Sequence, residues 1–376
     1  MELLKGFFVG EYSTDETLTP ATRSVRPWCA CFFVGFLTLL SSLRDDLWLD
    51  YLGLEDLDEY LKSKVPGFSA EWDDISTVGD VLALLPGEAA SEEPPVPVPE
   101  VTAEQMKLWF PPVIDRFKAE RQKSAAAIPL ICFYHAGGMV ANMRLWSKQL
   151  DEVMGPLAVN PMWVELPGRG TRGKEPLLTT CYETAVEVAG VVAGGVLGGD
   201  RSRPFAVLGY SVGTLHAYET TRALERMGFV PRALVVLNRN APQIAMDAPE
   251  DNFHDGLDEE AFVRKMSSEY GQKTLLDMWQ SHREVVRAAL PASRADMQLL
   301  TEYRQAADAR KLRVPVVAVA TRHDRASNAA EAVEAWGAVS EGPLHFRLFD
   351  GGHFVFTEQP KVMLPWLGEQ LQKLLQ

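Results

Sequence analysis

Apolar residues fall in two alternating kinds of run along the second two-thirds of the chain. Short β-branched runs that end at glycine or a polar turn predict buried strands. They occur at Ile128 to Phe133 ("IPLICF"), in "AVNPMWVELPGRG", in "PFAVLGYS", in "RALVVLNRNAP", in "VPVVAVATRHD" and in "HFRLFDGGHF". Between them lie stretches with helical spacing: "TTCYETAVEVAGVVAGGVL", "VGTLHAYETTRALERMG" closing on a glycine, and a C-terminal "KVMLPWLGEQLQKLL". Strands alternating with helices predict a mostly parallel sheet covered on both faces, which is an α/β architecture. Residues 251 to 305 break the alternation. They contain helical patterns such as "LDEEAFVRKMSSEYG" and no convincing strand, as expected of a helical lid inserted between two strands. No internal repeat is visible.

The first hundred residues have a different character. They hold 19 acidic against 6 basic residues, a net −13 of the chain's −14. "GEAASEEPPVPVPE" (87–100) reads as a semi-rigid linker, and "AEQMKLWFPPVIDRFKAERQKSAAA" as a partly helical lead-in. The organisation expected is therefore an acidic helical region over 1–86, a linker and lead-in over 87–127, and an α/β body over 128–376. "PWCACFFVGFLTLLSSL" (27–43) carries no charge, yet it is shorter than the ~20 residues of a membrane span. It is expected to be a buried helix; a membrane or targeting role is the alternative. Composition elsewhere is that of a globular protein, 47% hydrophobic and 23% charged. A near-neutral body and an acidic head exclude a nucleic-acid face, which needs clustered cations. The four cysteines, Cys29, Cys31, Cys132 and Cys181, form no even framework and suit a reducing, cytoplasmic compartment.

Candidate chemistry centres on "LGYSVGT", where Ser211 lies between Gly209 and Gly213 at a strand-to-helix junction. G-x-S-x-G in that context is a nucleophile elbow. A serine hydroxyl needs a base, and the order along such chains is serine, acid, histidine. His353 in "FDGGHF" follows a late strand and is the favoured base; His345 falls within the strand and His323 is a rival beside the candidate acid. Asp324 follows the run Val314 to Ala320 and is the favoured acid, with Asp296 and Asp350 as rivals. The oxyanion donors expected are the backbone N–H groups of Val212, after the nucleophile, and of Ala136 in the loop "YHAGG". No cluster has metal-ligand spacing, and no glycine-rich phosphate loop is present, so neither metal nor cofactor is expected.

These residues also carry a family resemblance. "CFYHAGG", "ELPGRGTR", "LGYSVGTLHAYE", "NRNAP", "LPASRADMQLLTEY" and "DGGHFVF" together resemble the stand-alone type II thioesterases of polyketide and nonribosomal peptide synthesis, over about 250 residues from 128 onward. Animal fatty acid synthesis uses a related thioesterase. The resemblance implies an α/β-hydrolase fold and hydrolysis of acyl groups from the phosphopantetheine thiol of an acyl or peptidyl carrier protein. It assigns Ser211, Asp324 and His353 as the triad and Ala136 and Val212 to the oxyanion hole. Three departures are Tyr210, where the family has histidine, Gly170, where it has an acidic residue, and His135, where it has proline. The head, "LGLEDLDEYLKSKVPGFSAEWDDISTVGDVLALL" (52–85), resembles the second half of a carrier protein, with Thr77 as helix cap. Asp56 stands where the phosphopantetheine-bearing serine belongs, so the head reads as a degenerate carrier; Ser42 and an unrelated acidic helical domain are alternatives. The protein expected is a monomeric thioesterase acting on carrier-bound acyl thioesters. A carboxylesterase or lipase, and a docking protein for a synthase, are the competing readings.

Overall fold

The computed structural model describes residues 62, 96–111, 127–143, 146–150, 159–244, 256–271, 273–306, 309–324 and 335–375. The chain divides into two units, Met1–Pro94 and Pro95–Gln376, and the second carries everything that follows. The apolar stretch at 27–43 and the carrier-like segment at 52–85 fall outside the described residues, Lys62 excepted.

Six strands form one sheet in the order β2-β1-β3-β4-β5-β6: Ile128–Phe133 (β1), Val159–Trp163 (β2), Ala206–Tyr210 (β3), Ala233–Leu237 (β4), Val316–Thr321 (β5) and Leu344–Phe349 (β6). All five pairings are parallel. The central strands are buried along their whole length, which is why they read as unbroken apolar runs rather than alternating ones. The edge strand β6 is only partly buried and keeps a more mixed sequence.

The chain leaves β1 for β2 on one side and returns to β3 on the other. The carboxyl ends of β1 and β3 therefore flank a crevice where the strand order reverses, the usual place for a site in an open parallel sheet. Helix Gly213–Arg226 (α3) follows β3 directly.

The lead-in helix Ala103–Trp109 (α1) opens with a capping box, Thr102 accepting from the Gln105 amide and Gln105 accepting from that of Thr102. It packs on the body: Trp109 joins the main core and stacks under Arg172 at 4.0 Å. Helix Tyr182–Val191 (α2), expected to run on to residue 197, passes instead into a π turn over Val192–Val196. The residues there are small because a side chain at Gly194 or Gly195 would press on Val101, at 2.8 and 2.9 Å.

The insertion expected at 251–305 is helical where described: Glu259–Tyr270 (α4), Lys273–Ser281 (α5) and Arg283–Glu302 (α6). Its apolar faces form a second core with Val212 and Leu215 at the start of α3, and Ala136 and Phe354 pack against it. The insertion thus roofs the carboxyl end of the sheet. Helices Val355–Glu358 (α7) and Pro360–Leu375 (α8) close the chain. Among the described residues no helix is long and apolar enough to cross a membrane.

Candidate active site

Ser211 has φ of 56°, a left-handed conformation that costs a non-glycine residue roughly 1–2 kcal/mol. The surroundings hold it there. Its amide donates to Leu237 O at 2.9 Å, tying the turn to β4, and its carbonyl accepts from the Thr214 hydroxyl at 2.7 Å. The two flanking glycines have distinct reasons. A side chain on Gly209 would run into the first turn of α3, and one on Gly213 would sit 2.6 Å from the carbonyl oxygens of Phe133 and Tyr134. Only with both bare can α3 start against the end of β1.

Three side chains from three strand ends form one hydrogen-bond chain. The Ser211 hydroxyl lies 2.9 Å from His353 Nε2, and His353 Nδ1 lies 2.9 Å from Asp324 Oδ2. Asp324 lies in the turn just after β5, and His353 sits in the loop after β6. With Nδ1–H donating to the carboxylate, Nε2 is left to accept from the serine. Ser211, Asp324 and His353 are all buried. The rival residues go elsewhere. Asp350 is exposed and pairs with Arg322 at 3.1 Å. His345 lies in β6, and His323 is exposed on the turn beside Asp324.

The backbone carbonyl of His353 is fixed by two groups that local sequence does not reveal. Tyr210 donates its hydroxyl to it at 2.9 Å, and Asn238 donates its side-chain amide at 3.0 Å. Asn238 has φ of 51° and also donates to Thr321. Tyr210 stands at the first departure from the family pattern and uses it to brace the histidine loop, with its ring packed edge-on to Phe356.

The loop after β1 lies opposite. Ala136 and Val212 both follow strand ends that meet at Ser211, and the amide of neither has an acceptor among the described residues. His135 turns its Nδ1 to Ala136 O at 3.0 Å. Burial lowers the pKa of its imidazole, with the nearby His353 lowering it further, so His135 is a neutral wall of the site. Asp296, the rival acid, is nowhere in the proton path. From α6 it accepts the Gly137 amide at 2.8 Å and binds Arg169 bidentately at 2.7 and 2.9 Å. Gly170, the second departure, has φ of 53°, and the Glu165 carboxylate occupies the place where its side chain would go. Burial pushes Glu165 up, while its bonds from the Val140 and Thr171 amides hold it down.

A pocket opens on the serine, lined by His135, Ala136, Ser211, Met266, Met297, His353 and Phe354. Its lining is mainly apolar, with Ser211 and His353 as the reactive groups.

A serine–histidine–aspartate chain on a sharp strand-to-helix turn of a parallel sheet, beneath a helical insertion, is the arrangement of the α/β-hydrolases. Within that class the chain belongs to the thioesterase domain family, whose model matches residues 128–365, and it is a thioester hydrolase. Thioesterase PikA5 of Streptomyces venezuelae is 32% identical over 235 residues, 62% of this chain and 77% of that protein. The RedJ thioesterase from the prodiginine biosynthetic pathway of Streptomyces coelicolor superposes with a TM-score of 0.58 at 29% identity, over 71% of this chain and 99% of that one. The type II thioesterase BorB from the borrelidin biosynthetic cluster gives 0.54 at 29% identity, over 67% and 94%.

Proposed function

We propose that the protein hydrolyses acyl groups from the phosphopantetheine thiol of a carrier protein in polyketide or nonribosomal peptide synthesis, with Ser211 as nucleophile. The observation that carries the reading is the continuous Ser211–His353–Asp324 hydrogen-bond chain within a thioesterase-family body. Relatives named as thioesterases of biosynthetic pathways support the choice of substrate.

In this reading Ser211 Oγ attacks the thioester carbonyl while His353 Nε2 takes the hydroxyl proton. The Ala136 and Val212 amides receive the oxyanion. Collapse expels the pantetheine sulfur, which leaves as the thiol with the proton from His353. His353 then takes a proton from water, the resulting hydroxide attacks the acyl-serine, and the free acid departs as Ser211 regains its proton. Asp324 holds the imidazole in the required tautomer and stabilises the imidazolium formed in each half. Water is the only co-substrate, so the reaction needs no metal or cofactor.

The test is turnover of a panel of acyl-phosphopantetheinyl carrier proteins beside matched oxygen esters. Hydrolysis of the thioesters, lost by at least about 10³-fold in Ser211→Ala, is the expected result. Equal rates for wild type and Ser211→Ala, or activity confined to the oxygen esters, would overturn it.

A further inference from the structure

The Arg169–Asp296 pair takes no part in the proton path, yet it is among the most enclosed ion pairs of the molecule, with both side chains 2% exposed. A buried pair of this kind is weak support for stability, because desolvation offsets most of the attraction. Its geometry points instead to the loop after β1. Asp296 Oδ2 accepts the Gly137 amide at 2.8 Å, a charge-assisted bond, and the same oxygen accepts from Arg169 Nη1 at 2.7 Å. The same peptide unit is fixed at its other end, where His135 Nδ1 donates to Ala136 O at 3.0 Å. Both polar atoms of the Ala136–Gly137 peptide are therefore committed. That leaves little freedom for the preceding peptide, whose N–H is that of Ala136. The contact is reinforced one turn earlier on α6, where Ser293 packs against Gly137 so closely that no side chain would fit there. One residue later on α6, Met297 lines the pocket that opens on Ser211.

We propose that Asp296, oriented by Arg169, is a positioning residue for the oxyanion hole: it anchors the Ala136–Gly137 peptide from the helical insertion so that the Ala136 N–H is already aimed at the carbonyl oxygen of a substrate on Ser211. This rests on the role given above to the Ala136 amide. Its consequence is that the roof over the site also sets the site's electrostatics. A donor misplaced by about 1 Å forfeits on the order of a hundredfold in rate.

The experiment uses the full chain, with butanoyl-pantetheine as substrate and butaneboronic acid as an inhibitor that forms an anionic tetrahedral adduct on serine. The Arg169→Met/Asp296→Leu double variant removes both charges at once, so neither is stranded. Expected are a circular dichroism spectrum like that of wild type, a kcat lower by about 10- to 100-fold, a KM within a few-fold, and boronate affinity weakened in step with kcat. Arg169→Gln/Asp296→Asn keeps an uncharged acceptor for the Gly137 amide, again without a stranded charge, and should recover much of both losses relative to the first double variant, remaining several-fold below wild type. A purely structural role would move the melting temperature without moving kcat and boronate affinity together. A folded Arg169→Met/Asp296→Leu variant with wild-type kcat and boronate affinity overturns the proposal; if that variant does not fold, unchanged values in Arg169→Gln/Asp296→Asn do so. Failure of wild type to hydrolyse any thioester would instead tell against the proposed function, and it would be seen before any variant was made.

Discussion

His216, one turn into α3, shows how a single residue can be costly and still be kept. It is buried to 1%, stacked on Phe133 at 5.9 Å, and neither ring nitrogen has a hydrogen-bond partner among the described residues. Burial lowers its pKa to about 4; the charge of Asp296 opposes this and that of Arg169 adds to it. Unfolded, it titrates near 6.5. Between those values the unfolded chain holds a proton that the folded chain cannot, so stability falls as pH drops from about 6.5 toward about 4 and then levels off. The full extent is about 3 kcal/mol. Melting temperatures of wild type and His216→Leu, followed from pH 7 to 4.5, should diverge, with wild type losing more. Parallel curves would mean that the ring finds a partner or water. Tyr210 is the contrasting residue. It replaces the family's histidine with a longer side chain, and the added reach is used to hold the His353 carbonyl.

At the scale of elements, the junction of β1, β3 and α3 leaves no room for side chains at either glycine of the turn. Gly213 begins α3 with its α-carbon against the last carbonyls of β1. In Gly213→Ala the new methyl meets backbone oxygen, which cannot rotate away as a side chain could, so α3 must shift outward. Overpacking of this kind costs roughly 1–3 kcal/mol. Because Ser211 and Val212 ride on the same turn, the loss should appear in kcat as well as in the melting temperature. A stable variant with full kcat would show that the turn has slack. The helical insertion is constrained in another way. Tyr303, just past α6, donates to Glu219 of α3 at 2.6 Å, and Glu219 also pairs with Arg222 at 3.0 Å. Together with Asp296, this fastens α6 to the body at both the loop after β1 and α3. The ion pairs of α4 lie at the surface, Glu260 with Arg264 and with Arg283 of α6, and Glu259 with Arg287 of α6, so α4 can move without stranding a buried charge.

At the scale of the whole molecule, the hydrogen-bonded serine, histidine and aspartate, the loop after β1 and both apolar cores lie within Pro95–Gln376. That unit begins well before β1 because the former linker and lead-in take part in its packing: Pro99 lies on Gly190, and the Glu165 amide donates to Trp109 O at 2.8 Å. A fragment of residues 95–376 should therefore fold and hydrolyse butanoyl-pantetheine with kcat within about twofold of the full chain, whereas one starting at residue 127 loses Trp109 from the core, at about 3 kcal/mol or more. Kinetics and melting of the two fragments distinguish them. Equal stability would place the 96–111 segment outside the cooperative unit.

The sequence by itself determined the order of strands and helices, the parallel sheet, the helical insertion and the candidate residues Ser211, Asp324, His353, Ala136 and Val212. These are local properties. A buried strand is an apolar run, an elbow is a serine between glycines at a strand end, and a base or acid in this architecture follows a late strand. Choosing among rivals and finding the supports needed the tertiary structure. Asp296 and Asp324 are both acids in plausible places, and only the fold sends one to His353 and the other to Gly137 and Arg169. Arg169 and Asp296 are separated by 127 positions, Tyr210 and His353 by 143, Asn238 and His353 by 115. No periodicity or spacing links residues so far apart. "RAD" and "NRNAP" are visible as motifs, but their partners are not. Contacts of that range exist only once the sheet has fixed the distances between strand ends, and in this protein those distances decide which groups hold the serine, the histidine and the loop after β1 in place.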